Sequence, residues 1–102
     1  MAATLHALAL GEALTPASRE ILVGWMRAAA TGLGRLRAGL PTDWRAGDKT
    51  GTGPDGQTND VAVAWPPGRD TLVITAYYER PGRTMAQNSK VLAEVGRLVG
   101  AG

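Results

Sequence analysis

The chain has 102 residues, 44% hydrophobic and 20% charged, with a net charge of +2, which fits one ordinary globular domain or a piece of one. It has no cysteine and a single histidine, His6, which excludes a disulfide framework, a thiolate zinc site and a histidine metal cluster. No apolar run approaches the ~18–20 residues of a membrane helix, and the basic residues are scattered from Arg19 to Arg97, without the clustered face a nucleic-acid binder needs.

Leu5, Leu8 and Ala9 recur at helical spacing and predict a helix over 2–10, ended by Gly11. No Lys or Arg precedes Arg19 and Glu12 cuts the apolar stretch, so the opening reads as a helix and not as a secretory leader. Thr15-Pro16 supplies an N-cap and first-turn pair for a second helix. Ile21, Leu22, Trp25, Met26 and Ala29 predict its buried face, and Thr31-Gly32 with Gly34 its end. Arg35 to Leu40 reads as one short helical turn, stopped by Gly39 and Pro41.

The period then changes. Trp44 to Thr52 reads as a strand, and Gly53-Pro54-Asp55-Gly56 has turn chemistry. Val61, Val63 and Trp65 alternate with Ala62 and Ala64, Pro66-Pro67-Gly68 turns the chain, and Thr71 to Glu79 forms a third strand. Three successive strands with short turns predict an antiparallel meander. From Asn88 the helical period returns, with Val91, Leu92, Val95, Leu98 and Val99 on one face. The expected fold is α/β in the broad sense, of the α+β type. It forms one unit, helical over about 2–40, a sheet over about 43–80 and a C-terminal helix over about 86–100.

Gly51-Thr52-Gly53-Pro54-Asp55-Gly56 matches the glycine spacing of a dinucleotide loop, but that fingerprint requires the last glycine to open a helix. Here Thr58-Asn59-Asp60 and a strand follow, so the match is a hairpin turn. Gly47-Asp48-Lys49-Thr50 lacks the residue order of a P-loop. Lys49-Thr50-Gly51 on a strand has a different meaning. It is one of three motifs of the serine β-lactamases and penicillin-binding proteins. There an ammonium gives a fixed positive charge beside an acyl-transfer site, a hydroxyl gives a hydrogen bond, and glycine keeps the strand edge clear for a ligand.

The surroundings extend the match. Trp25-Met26, Thr31-Gly32, Arg35-Leu36-Arg37-Ala38-Gly39-Leu40-Pro41, Trp44 and Gly47 to Gly53 resemble, in order and gaps, the C-terminal part of a class A β-lactamase. Gly56, Thr58-Asn59-Asp60-Val61-Ala62-Val63, Trp65-Pro66-Pro67-Gly68 and Tyr77-Tyr78 continue the resemblance, which covers essentially Met1 to Gly102. It implies the corresponding portion of the β-lactamase/transpeptidase-like fold, from a family that hydrolyses β-lactams by serine acylation and water deacylation, without a cofactor. Lys49 and Thr50 are then expected to bind the substrate carboxylate, with Gly51, Thr52 and Gly53 along the same edge. Thr52 matches the backbone N–H donor of the oxyanion hole. Many members carry an arginine where this chain has Thr58; others place it on the helix side, which Arg35 matches. Arg37 and Asp48 resemble a structural ion pair, and Trp25, Trp44 and Trp65 are expected to be packing residues.

The family's nucleophile lies in Ser-x-x-Lys, yet the only serines are Ser18, followed three residues on by Ile21, and Ser89, followed by Leu92. No Ser-Asp-Asn occurs, and none of Glu12, Glu20, Glu79 and Glu94 matches the deacylation glutamate. The expectation is a partial enzyme that is inactive alone, completed by a missing N-terminal part, with a β-lactam as small-molecule partner and no nucleic acid or membrane. Self-association is also expected, because the strand over Thr71–Glu79 would have a bare edge. The parent family is secreted or periplasmic; without a recognisable leader, the chain as given is expected in the cytoplasm. The alternatives are half of a split enzyme, a stand-alone binding or interaction module on the same fold fragment, or a D,D-peptidase parent.

Overall fold

The computed structural model describes residues 1–102. Helices α1 (Ala2–Ala9), α2 (Pro16–Ala28) and α3 (Leu36–Gly39) precede strands β1 (Arg45–Thr52), β2 (Gln57–Trp65) and β3 (Leu72–Glu79), and α4 (Met85–Ala101) closes the chain. The strands form one antiparallel sheet in the order β1-β2-β3, with Thr52 opposite Thr58, Arg45 opposite Trp65, and Gln57 opposite Glu79. The α+β class and the meander are as the sequence predicts.

Strand alternation sorts the helices into two layers. On one face Val63 packs with Leu5 and Ala9 of α1 and Met26 of α2. On the other, Ala46, Ala62, Ala64 and Ile74 pack with Leu36 and Leu40 of and beside α3, and Val95 and Val99 of α4 lie against them. The central strand is therefore covered on both sides, and Ala62, Val63 and Ala64 are all buried. Small residues let the second layer sit close. A Cβ on Gly39 would overlap the Ala93 carbonyl oxygen, and one on Gly96 the Leu36 carbonyl oxygen, so α3 and α4 pack backbone to backbone.

Local chemistry explains the element ends. Thr15 Oγ1 accepts from Ser18 N (3.2 Å) with Pro16 at the first helical position. Thr84 and Gln87 form a reciprocal capping box, which starts α4 at Met85, three residues before the apolar period becomes visible at Asn88. The hairpin between β1 and β2 turns through Gly56 at φ +83, in the left-handed region where a side chain is strained.

Two readings of burial are corrected. Trp25 is 70% exposed and Ile21 54%, so only the Leu22–Met26–Ala29 side of the predicted α2 stripe is covered. Leu98 on α4 is likewise exposed, while Val95 and Val99 beside it are half-buried. Trp44 and Trp65 do pack, half-buried, against the two core clusters. β2 also begins at Gln57, ahead of the apolar alternation, because Thr58 and Asp60 are themselves strand residues with buried side chains.

Candidate functional site

Lys49, Thr50, Gly51 and Thr52 lie on the last four positions of β1, and Gly53 follows the strand. Gly53 N donates to Gln57 O (2.9 Å), which fixes the alternation of the ladder. Gly51/Asn59 and Lys49/Val61 are then hydrogen-bonded pairs, whereas Thr52/Thr58 and Thr50/Asp60 are not. The N–H and C=O groups of Thr50 and Thr52 consequently point away from β2, toward the free edge. That is the orientation a backbone oxyanion donor at Thr52 requires. On this edge the Thr50 hydroxyl meets Thr31 Oγ1 at 3.0 Å. Lys49 is exposed, and its Nζ donates only to Thr50 O (2.6 Å).

Arg35 reaches the same strand end from the residue before α3. It is almost wholly buried, at 4% exposure. Its Nε donates to Ser89 Oγ on α4 (3.3 Å), and Nη1 to the carbonyl oxygens of Gly51 (3.2 Å) and Asn59 (2.8 Å). Nη2 donates to Thr52 Oγ1 (2.6 Å). The guanidinium thus arrives from the helix side at the Thr52/Thr58 pair, where Thr58 itself offers only a buried hydroxyl turned to Gly56 O (3.4 Å). One N–H of Nη2 is left beside the Thr52 hydroxyl; the other donors tie α3, α4, β1 and β2 together.

Beneath Lys49 lies a cluster only partly legible in the sequence. Arg37 Nη1 stands 3.5 Å from Asp48 Oδ1 and donates to Arg27 O (3.2 Å) and Ala29 O (3.1 Å). This is the architectural ion pair expected of Arg37 and Asp48. Asp60, which no motif marked as functional, is fully buried with Asp48. Its Oδ2 accepts from Leu36 N (3.2 Å), at the open start of α3. Asp60 Oδ1 and both Asp48 oxygens have no hydrogen-bond donor elsewhere in the chain. Burial first, then the hydrogen bond and charge of Asp48, push the Asp60 carboxyl up to about 8. A proton carried by Asp60 at neutral pH gives Asp48 the donor it otherwise lacks. Only the spacing of Asp48 and Asp60 on facing strands could have signalled this pair, and only once their register was known.

The remaining polar groups are structural. Asn88 Nδ2 donates to Arg80 O (3.1 Å) and Gly56 O (3.4 Å), tying α4 to the hairpin. Ser89 serves Arg35, Ser18 sits in the first turn of α2, and neither Lys49 nor Lys90 is hydrogen-bonded to a serine. His6 is exposed on α1. A groove of about 520 Å³ between α1, α2 and Trp65 lies at the opposite end of the sheet from Thr52. Arg35, Lys49, Thr50, Thr52, Asp48 and Asp60 do not line it.

Comparison with known proteins adds the family. The sequence pattern described as "Beta-lactamase enzyme family" matches residues 1–101. The β-lactamase CTX-M-8 of Citrobacter amalonaticus is 44% identical over 99 residues, 97% of this chain and 34% of that protein. An ancestral (GNCA) class A β-lactamase structure is 60% identical with a TM-score of 0.92, covering 97% of this chain and 38% of that one. The putative class A β-lactamase PenP from Rhodopseudomonas palustris is 48% identical with a TM-score of 0.94, over 99% and 39%. The chain therefore spans little more than a third of the proteins it matches.

Proposed function

This chain belongs to the class A β-lactamase family, and we propose that it supplies the Lys-Thr-Gly wall of a β-lactam-hydrolysing site whose nucleophile lies outside residues 1–102, in the N-terminal part of the enzyme. The observation that carries this reading is the ladder alternation, which turns Thr52 N–H to the free edge beside the Lys49 ammonium and the Thr50 hydroxyl. In that site Lys49 and Thr50 hold the substrate carboxylate. Thr52 N–H donates to the oxyanion of the tetrahedral intermediate, a donor typically worth a factor of ~10²–10³ in rate. Gly51 leaves the edge open to the ligand. Arg35 fixes the carbonyls of Gly51 and Asn59 and the hydroxyl of Thr52, and turns its remaining Nη2 N–H to the carboxylate.

Acylation needs a serine activated by a neighbouring base. Ser89 is held by Arg35 Nε, and Ser18 stands in the first turn of α2. Removing the nucleophile from a serine hydrolase costs about 10⁶ in turnover, and binding with one oxyanion donor restores little of that. Residues 1–102 alone are thus expected to bind β-lactams weakly at most and to turn over none. Intact-mass spectrometry after incubation with a penicillin tests this directly. An unchanged mass is expected; a stoichiometric acyl adduct would place a working nucleophile within the chain and end the reading.

A further inference from the structure

The turn between β1 and β2 is held on its two sides by different means. Gly53 N donates to Gln57 O (2.9 Å), leaving a three-residue loop, Pro54-Asp55-Gly56, whose last residue is left-handed. On the far side Gly56 is pressed against Arg80 O, where a Cβ would overlap, and Asn88 Nδ2 donates to the carbonyls of both. On the side of the site, the hydrogen bonds of Gly53 and Asp55 go to one residue, Gln57. Its Oε1 accepts from Asp55 N (3.0 Å), and its Nε2 donates to Glu79 Oε1 (2.7 Å) on β3. These partners fix which way the amide points, since a carboxylate takes only a donor and a peptide N–H only an acceptor. The same side chain lies over Gly53, where a Cβ would overlap Gln57 Oε1. Gly53 is not left-handed, so glycine there makes room for the Gln57 amide and is not demanded by the backbone.

We propose that Gln57 is a positioning residue for substrate recognition, which holds the Thr52–Gly53 peptide so that the Thr52 carbonyl meets an amide N–H of the substrate's side chain. The inference rests on the β-lactam reading above. That peptide carries the Thr52 C=O on one side and the Gly53 N–H on the other, and it is planar, so anchoring one group aims the other. Gly53 N–H is anchored on Gln57 O, and Thr52 O points to the free edge, where no turn, loop or cap hydrogen bond engages it. Thr52 thus presents an N–H and a C=O side by side, the pattern of an unpaired strand residue. A ligand with an amide next to its reactive carbonyl matches both groups, as an added strand would. A β-lactam with an acylamino side chain has that N–H, and one without the side chain does not. Arg35 reaches the Gly51 carbonyl and the Thr52 hydroxyl, so it steadies the preceding peptide and not this one. Gln57 grips this peptide with its backbone and, through its side chain, ties the turn to β3.

The test uses the complex of residues 1–102 with a serine-bearing N-terminal part and two substrates. Benzylpenicillin has the side-chain amide, and penicillanic acid has none. Gln57→Ala keeps the backbone carbonyl and removes the bridge from turn to β3. It should lower kcat/KM for benzylpenicillin about three- to tenfold, the scale of one neutral hydrogen bond, and leave penicillanic acid within about twofold of the parent. A role in folding alone would lower both alike. Gln57→Glu sets two carboxylates together and should show the same selective loss. Adding Glu79→Gln exchanges donor and acceptor across the bridge, keeps an acceptor for Asp55 N, and should restore benzylpenicillin to within about twofold of the parent. Circular dichroism monitors folding, and should Gln57→Ala fail to assemble, the exchange at 57 and 79 decides alone. A parent complex that hydrolyses neither substrate would strike the β-lactam reading and this role with it. An active parent complex in which Gln57→Ala lowers both substrates equally or neither, or in which the exchange fails to restore benzylpenicillin, would overturn the role of Gln57 alone.

Discussion

Asp60 makes stability depend on pH in an unusual direction. An ordinary carboxylate that gains a partner on folding is depressed and loses its contribution in acid. Asp60 instead rises from an ordinary 3.8 to about 8, because it is buried against Asp48. Between those values the folded chain holds a proton that the unfolded chain has released, so stability falls as pH rises and levels off above about 8. An isolated site would give 1.36 kcal/mol per pH unit, and a pair titrating together somewhat less, so about 2 kcal/mol should be lost from pH 5 to pH 7. That is a large share of the ~5–15 kcal/mol typical of a domain. Asp60→Asn keeps an acceptor for Leu36 N and a permanent donor toward Asp48, so it should match the native chain near pH 4, exceed it by about 1 kcal/mol at pH 5 and by about 3 kcal/mol at pH 7. Urea denaturation at half-unit steps from pH 5 to pH 8 measures both profiles. A flat or rising native profile, or an Asp60→Asn variant that keeps the slope, would refute the shared proton.

Gly96→Ala should lower Tm although alanine is the better helix former by ~1 kcal/mol. The new methyl meets the Leu36 carbonyl, and forcing α3 from α4 should cost about 1–3 kcal/mol; an unchanged or raised Tm would contradict the backbone-to-backbone packing. In a reconstituted enzyme, Arg35→Ala should reduce kcat/KM by the equivalent of about 1.5–3 kcal/mol, the scale of a charged hydrogen bond. Arg35→Lys should recover little, because an ammonium cannot serve Ser89, Gly51, Asn59 and Thr52 at once. Steady-state kinetics within twofold of the parent for Arg35→Ala would remove Arg35 from substrate recognition.

What the sequence made legible follows from local physics. Thr15-Pro16 starts α2, the alternation of Val61, Val63 and Trp65 gives β2, and Lys49-Thr50-Gly51 falls on a strand. Periodicity, however, tells which residues share a face and not whether anything covers it. Ile21 and Trp25 carry the helical period as clearly as Leu22 and Met26, yet α1 and the sheet cover only the latter side. Asp60 was unreadable for a related reason. An aspartate in a strand reads as solvent-facing, and only the closeness of α3 and β1 buries it beside a second carboxylate. Gly39 and Gly96 lie far apart in sequence and act as one contact, which no local pattern encodes. The role of Arg35 was half visible: its approach from the helix side was expected, but not that most of its donors would be taken by backbone and hydroxyl oxygens of the wall itself.

Reconstitution tests the central claim most directly. Residues 1–102 would be co-expressed with a serine-bearing N-terminal part of a class A β-lactamase, and hydrolysis of a chromogenic cephalosporin followed in the purified mixture. Hydrolysis should require both parts and collapse when Lys49→Ala is carried on this chain. Hydrolysis by residues 1–102 alone, or a stable complex of the two parts that remains inactive, would contradict the assignment of this chain as the Lys-Thr-Gly wall of the site.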